Sequence, residues 1–363
     1  MKRLSTIALM LAGTSCVVLT LISVGCRCSL FGKPYLAKDG KTAYTIVCQD
    51  DEPMLEVTQQ SASGELKLYL EQMTGATFPV VKESEFNGKT PALYVGNTTY
   101  ALKHGVDPQA MAVEAWTYKT VGDGMIFAGG KNNGALLAVC EFLERELGCH
   151  WFTFESTYVP KHPELALQPW NRSGEPAFSH REIYVSHWGL SREMNLAYQK
   201  FIKRNRANVF DSPLRVSRQT GTCHTFYQYV SWKKYFATHP EYFSMNAKGE
   251  RFHGDTMHSG GQLCLSNPEV ADVILNQLRE FIKKDRATLP PEKWPTLYDI
   301  SQNDNASFIC FCPACKAITE REGSEAALTL TCFNKVAREI AKEYPDVIIQ
   351  TFAYVSTERA PKT

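Results

Sequence analysis

Residues 296–301, Thr-Leu-Tyr-Asp-Ile-Ser, followed by Gln302-Asn303-Asp304-Asn305, decide how the C-terminal half is read. The first six form a short apolar-rich run, the pattern of a buried strand, and the next four are polar, the pattern of a loop. On either side the chain alternates in the same way. Downstream, Glu325 to Tyr344 reads as a helix and Val347 to Tyr354 as a strand. Upstream, Asn267-Pro268-Glu269 opens a helix running to about Lys284, and Gln262 to Ser266 reads as a strand before it. Further back come a strand at Ala207 to Phe210, a helix near Asn195 to Asn205, and a strand at Glu182 to Ser186. Repeated strand–helix units of this length imply α/β architecture with a parallel sheet, either a barrel or an open doubly wound sheet. The long inserts follow strands, at the carboxyl ends where such folds carry their sites. About five such units are counted in 177–363, whereas a closed (β/α) barrel of TIM type has eight. The expectation is therefore an incomplete barrel, in a chain that is a fragment or is completed by other means.

The segment 42–165 has a different pattern. Ala43 to Cys48 and Ala92 to Gly96 read as strands, and Trp116 to Val121 with Met125 to Ala128 as a hairpin. Leu66, Tyr69, Leu70 and Met73 fall at i, i+3, i+4, i+7, one buried helix face, with Gly75 just past its end. Leu136, Val139, Cys140, Leu143 and Leu147 mark a second helix after Gly129-Gly130-Lys131-Asn132-Asn133-Gly134. That loop lacks the spacing of a phosphate-binding motif and is read as a tight turn. Prolines 160, 163, 169 and 176 punctuate a linker to the second domain.

The first residues form an export signal: Lys2 and Arg3 precede an apolar run from Ile7 to Val24. The run ends at Gly25-Cys26, similar to a lipoprotein cleavage site with Cys26 as the lipidated residue, although Ser23 stands where that pattern prefers Leu. A plain signal peptide and an uncleaved anchor stay open beside it. Residues 1–25 are thus expected to be a signal and 26–41 a linker, placing the protein outside the cytoplasm, in the periplasm or at the cell surface. Lys and Arg number 39 against 38 Asp and Glu, a net charge of +1, which argues against a nucleic-acid partner. A hydrophobic share of 44% excludes a disordered or fibrous chain.

Several stretches resemble known families. SGELKLYLEQMTGATFPVV (63–81), ALYVGNT (92–98) and GGKNNGALLAVCEFLERELGCHWF (129–152) are similar to the small α+β domain that precedes the barrel in α-glucuronidases and β-hexosaminidases. HTFYQYV (224–230), HPEYFSMNAKGERF (239–252), QLCLSNPEV (262–270) and YDISQNDNASFICFCPAC (298–315) resemble a bacterial domain-of-unknown-function family (4838) with a glycosidase-like barrel. The resemblance implies an exported carbohydrate-active protein, glycoside hydrolase-like, whose partner is an oligosaccharide or polysaccharide containing uronic acid or N-acetylhexosamine. A non-catalytic cell-surface glycan-binding lipoprotein is the alternative.

Glycosidases place two carboxyl groups, or one and a substrate group, about the scissile bond. Asp304, beyond the fourth strand, is the candidate general acid, at the position where hexosaminidase-type barrels carry theirs; no Asp-Glu pair accompanies it. Such a role calls for a raised pKa. A backbone-orienting role at the turn is its alternative. Asn303 and His224 are candidate hydroxyl ligands. Arg181 resembles the arginine that grips sugar hydroxyls in these barrels, with a domain-junction salt bridge as its alternative. His187 and Trp188 end the first strand, where an indole stacks on a sugar face or packs. Asp299 and His239 read as structural. Cys310, Cys312 and Cys315 lie within six residues: a loop disulfide, a structural zinc site with a fourth ligand from elsewhere, and free thiols are all open. No other cofactor is expected, and Cys48, Cys140, Cys149, Cys264 and Cys332 read as buried small hydrophobes.

Overall fold

The computed structural model describes residues 34–52, 60–183, 189–208, 214–305 and 309–363. Cys26, His187 and Trp188 lie outside them, as does the stretch read as an export signal. The chain forms two compact units, one containing the described residues of 34–52, 60–150 and 159–174, the other those of 151–158 and 175–363. Among the described residues no helix is long and apolar enough to cross a membrane.

The first unit is built on a six-stranded sheet in the spatial order Asn171–Gly174, Trp116–Val121, Gly124–Gly129, Ala92–Val95, Thr45–Cys48, Val80–Lys82. The last four of these run parallel to one another, and Trp116–Val121 lies antiparallel to both of its neighbours. Helix Ala62–Thr74 is capped by Ser61, whose hydroxyl accepts the Gly64 N–H, and stops at Gly75, which takes the left-handed conformation at φ 72°. It buries Leu66, Tyr69, Leu70 and Met73, the face foreseen from their spacing. The glycine loop before helix Gly134–Arg145 is set by packing: a Cβ on Gly130 would stand 1.9 Å from the Ala112 carbonyl oxygen. The stretches read as linkers differ from expectation. Tyr35–Lys38 pairs with Glu164–Ala166, and Asn171–Gly174 joins the sheet edge through Trp116–Lys119. Edge strands tolerate nearby prolines because half of their backbone groups need no partner, so proline density here marked sheet edges.

In the second unit the strands Leu297–Asp299 and Ile348–Gln350 pair in parallel, and Val216 forms a parallel bridge to Leu297 on the other side. Helix Pro268–Thr288 separates the first two of these positions in sequence, and helices Pro313–Glu322 and Ala326–Glu343 the last two. This is a mixed α/β arrangement, and among the described residues its sheet does not close into a barrel. The expected strand at Gln262 to Ser266 is not part of that sheet. Leu263 bridges Phe243 antiparallel, inside the insertion that precedes helix Pro268–Thr288. Its apolar character reflects burial in the local core with Phe226, Phe243, Leu328 and Ile309, and burial without periodicity does not distinguish a sheet strand from an irregular core segment. The segment 214–217 takes the ladder position instead: Ser217 N–H donates to Leu297 O at 2.9 Å. Buried Asp285 ties helix to sheet by accepting from Ser217 Oγ (2.6 Å) and Tyr298 OH (3.0 Å).

Candidate functional site

Three successive parallel segments deliver their following residues to one end of the sheet. After Val216 come Thr222, Cys223 and His224; after Asp299 comes Asp304; and Gln350, Phe352 and Tyr354 continue from the last strand. Together with His180 and Glu182 they line a cavity of about 560 Å³, within the size range of small-ligand sites.

A buried polar lattice holds two of these lining residues, Gln350 and His224. Asp299, fully buried at its strand's end, accepts from Thr225 Oγ1 (3.1 Å), from the Ser301 hydroxyl and from Gln350 Nε2 (3.1 Å). Burial raises its pKa and outweighs the donors that oppose the rise. Thr225 N–H donates to Ser301 O, and Tyr229 OH to Asp299 O, so helix Phe226–Tyr229 is fastened to the strand beneath it. His224 sits just before this helix in the left-handed region at φ 56°, a strained conformation for a non-glycine residue. Its N–H donates to Ser301 Oγ (2.7 Å), and its Nδ1 lies 2.8 Å from Gln302 O, which only a protonated Nδ1 satisfies. Nε2 is thereby turned toward Asp304, 3.8 Å from Oδ1. Asp304 also lies 3.1 Å from His258 Nδ1 through Oδ2, and accepts from Tyr354 OH at 3.3 Å. Its negative charge raises the pKa of that phenol. Asp304 thus stands, one-third exposed, between two imidazoles and a phenol, a group equipped to accept or return a proton at the cavity mouth.

The structure brings Asp304 and His224 together and directs Asn303 and Arg181 elsewhere. Asn303 is fully buried, and its Nδ2 donates to Gly261 O at 3.0 Å. The Arg181 guanidinium donates to Arg206 O (2.7 Å) and Phe178 O (2.6 Å), bracing backbone, and is not among the cavity's lining. His258, Glu182, Gln350, Phe352 and Tyr354 are additions. Gln350, Phe352 and Tyr354 recur at intervals of two after a strand, a same-face signal present in the sequence. Nothing local marked His258 within its loop.

The cysteine cluster lies elsewhere in the same unit. Cys310, Cys312 and Cys315 are buried and are joined by Cys264, the four sulfurs lying within 4.8 Å of one another. Cys264 Sγ is 3.6 Å from Cys312 Sγ and 3.9 Å from Cys315 Sγ, separations at which no disulfide exists. Hydrogen bonds from Cys310 and Cys315 favour the thiolate at Cys264, which in turn pushes the Cys310 thiol up to about 11. Four such sulfurs can hold a metal ion. Cys264 is buried in the local hydrophobic core, as its apolar neighbours implied, and also stands beside the three cysteines of 310–315.

Residues 151–363 match the family described as Domain of unknown function (DUF4838), and the chain belongs to that family. No curated protein matches the chain. Similar solved structures include a family GH115 4-O-methyl-α-glucuronidase with specificity for decorated arabinogalactans, at 13% identity and TM-score 0.43, covering 85% of this chain and 41% of that one. Another is a chitobiase of Flavobacterium johnsoniae, at 11% identity and TM-score 0.35, covering 90% and 51%. A third is a β-N-acetylhexosaminidase of Streptomyces coelicolor, at 12% identity and TM-score 0.34, covering 89% and 64%. This chain spans less than two thirds of the length of each.

Proposed function

We propose that this chain is an exported, glycoside hydrolase-like protein that takes a glycan with uronic acid or N-acetylhexosamine units into the cavity around Asp304. The observation that carries this reading is the placement of Asp304 between His224, His258 and Tyr354 in a cavity that also holds a second carboxyl group, Glu182. In this role Asp304 exchanges a proton with the glycosidic oxygen, while its neighbours set its orientation and Glu182 supplies the opposing carboxylate. We read the second unit as part of a (β/α) barrel and the first as an α-glucuronidase/β-hexosaminidase-type domain. Three parallel strand positions met in chain order support the former. Export, with a lipid on Cys26, rests on the N-terminal signal. Cys26→Ala is expected to move the protein out of the membrane fraction, and unchanged fractionation counts against the anchor.

The second reading, a glycan-binding protein without turnover, is favoured by the rings of Phe352 and Tyr354, which pack edge-on with His224 in the cavity (centroids 5.2–6.1 Å apart) and offer apolar faces to a sugar. One experiment separates the two readings: aryl glucuronides and N-acetylhexosaminides are assayed for turnover beside a glycan-binding array. Turnover lowered by about 10²–10⁴ in Asp304→Asn supports the hydrolase. Turnover retained in that variant removes Asp304 from catalysis. Binding without turnover selects the second reading.

A further inference from the structure

We propose that Cys264, Cys310, Cys312 and Cys315 form a tetrathiolate zinc centre that clamps the insertion before helix Pro268–Thr288 to the segment following Asp304. The sulfur geometry already fits the ion. A tetrahedron with metal–sulfur bonds of about 2.3 Å has edges of about 3.8 Å; Cys264 Sγ lies 3.6 and 3.9 Å from the sulfurs of Cys312 and Cys315, and all four sulfurs lie within 4.8 Å of one another. A disulfide would require one of these pairs to close to about 2.05 Å.

A second observation is the set of donors aimed at the sulfurs. Met245 N–H and Cys312 N–H point at Cys310 Sγ (3.2 and 3.5 Å), and Cys315 N–H at Cys312 Sγ (3.5 Å). Pro313 at the first helical position lets the chain turn so that Cys312 caps helix Pro313–Glu322 while Cys315 lies in its first turn. Backbone donors to thiolates are the outer shell that orients metal ligands and disperses their charge. Arg251 Nη1, 3.6 Å from Cys310 Sγ, adds a fixed positive charge. Binding is balanced simply: Zn²⁺ enters, the protons remaining on the thiols leave to solvent, and the four thiolates leave a net charge of −2 that Arg251 and the amides meet. All four sulfur positions are protein-derived, so the centre is closed to substrate and its role is structural.

The consequence is topological. Cys264 lies two residues past Gln262, which grips Asn303, and the other three ligands follow Asp304 by six to eleven residues. The metal would lock together the two segments that Gln262 and Asn303 already join. Elemental analysis of the purified full chain should give one zinc per chain, and Cys264→Ser should lose it while Cys48→Ala, in the other unit, keeps it. Should Cys264→Ser fail to fold, the wild-type protein carries the test: mercurial titration should release one zinc per four thiols, and cobalt substitution should give the intense thiolate charge-transfer bands of a tetrahedral S₄ site. Metal-free protein with four reactive thiols, stoichiometric iron in place of zinc, or a disulfide among these cysteines overturns the proposal.

Discussion

Gln262 and Asn303 bind each other through side chain on one side and backbone on the other: Gln262 Oε1 accepts the Asn303 N–H at 2.9 Å and its Nε2 donates to Asn303 O at 3.0 Å. The carboxamide acts as an extra peptide unit laid against the loop, fully buried, and its Nε2 also reaches Asn305 Oδ1 at 3.1 Å. Gln262→Ala leaves the buried Asn303 N–H without a partner, at a cost of about 1–3 kcal/mol, while Asn303 O keeps the Asn305 N–H at 2.9 Å. The variant is expected to lose on the order of 1–3 kcal/mol in urea-induced unfolding. A loss below about 1 kcal/mol would mean that water replaces the amide.

Arg181 offers a second test, because its guanidinium spans Arg206 O and Phe178 O. Arg181→Lys keeps the charge and cannot reproduce the planar fork. The expected result is a stability loss of about 1 kcal/mol with glycan affinity unchanged. Weakened affinity at unchanged stability would instead restore this arginine as a sugar ligand.

Burial sorts the thiols outside the cluster by reactivity. Cys149 and Cys332 are pushed up to about 12 by desolvation, whereas Cys223 is exposed at the cavity rim. At pH 8 a thiol with that pKa is ionised to about one part in 10⁴, and the thiolate is the species that alkylates. Iodoacetamide on the native protein should modify Cys223 first among the nine cysteines of the described residues, leaving Cys149 and Cys332 unlabelled until denaturant is added. Mass spectrometry of the digest reads the order, and early labelling of Cys332 would contradict its burial.

What the sequence made legible follows the same division between local and distant causes. The helix Ala62–Thr74 declared itself through its apolar spacing and Gly75, both within one segment. Asp304 and His224 were legible because each follows a strand-like or motif-bearing stretch. Cys264 was not, because its three sulfur partners lie 46 or more residues away and a lone cysteine among leucines has the signature of packing. His258 reaches Asp304 only through a loop whose course depends on Gly254, Gly260 and Gly261, the last two at positive φ. The strand expected at Gln262 to Ser266 failed for a related reason, since an irregular segment buried in a core is as apolar as a strand.

Asp299 gives the pH prediction. Its folded pKa is raised, chiefly by burial, above the value of an unfolded aspartate, about 3.9. Between those two values the native state binds more protons than the unfolded one, so stability falls as pH rises through that window. Its contribution is greatest below the unfolded pKa and is lost above the folded one, where the charged carboxylate must be held in the buried lattice of Thr225, Ser301 and Gln350. Asp299→Asn is neutral throughout and lacks this slope. Its disadvantage relative to the wild type should therefore be largest near pH 4 and shrink toward pH 7, read from urea midpoints across that range. A disadvantage that grows with pH would show that the donors outweigh desolvation and that Asp299 is held as a stabilised anion.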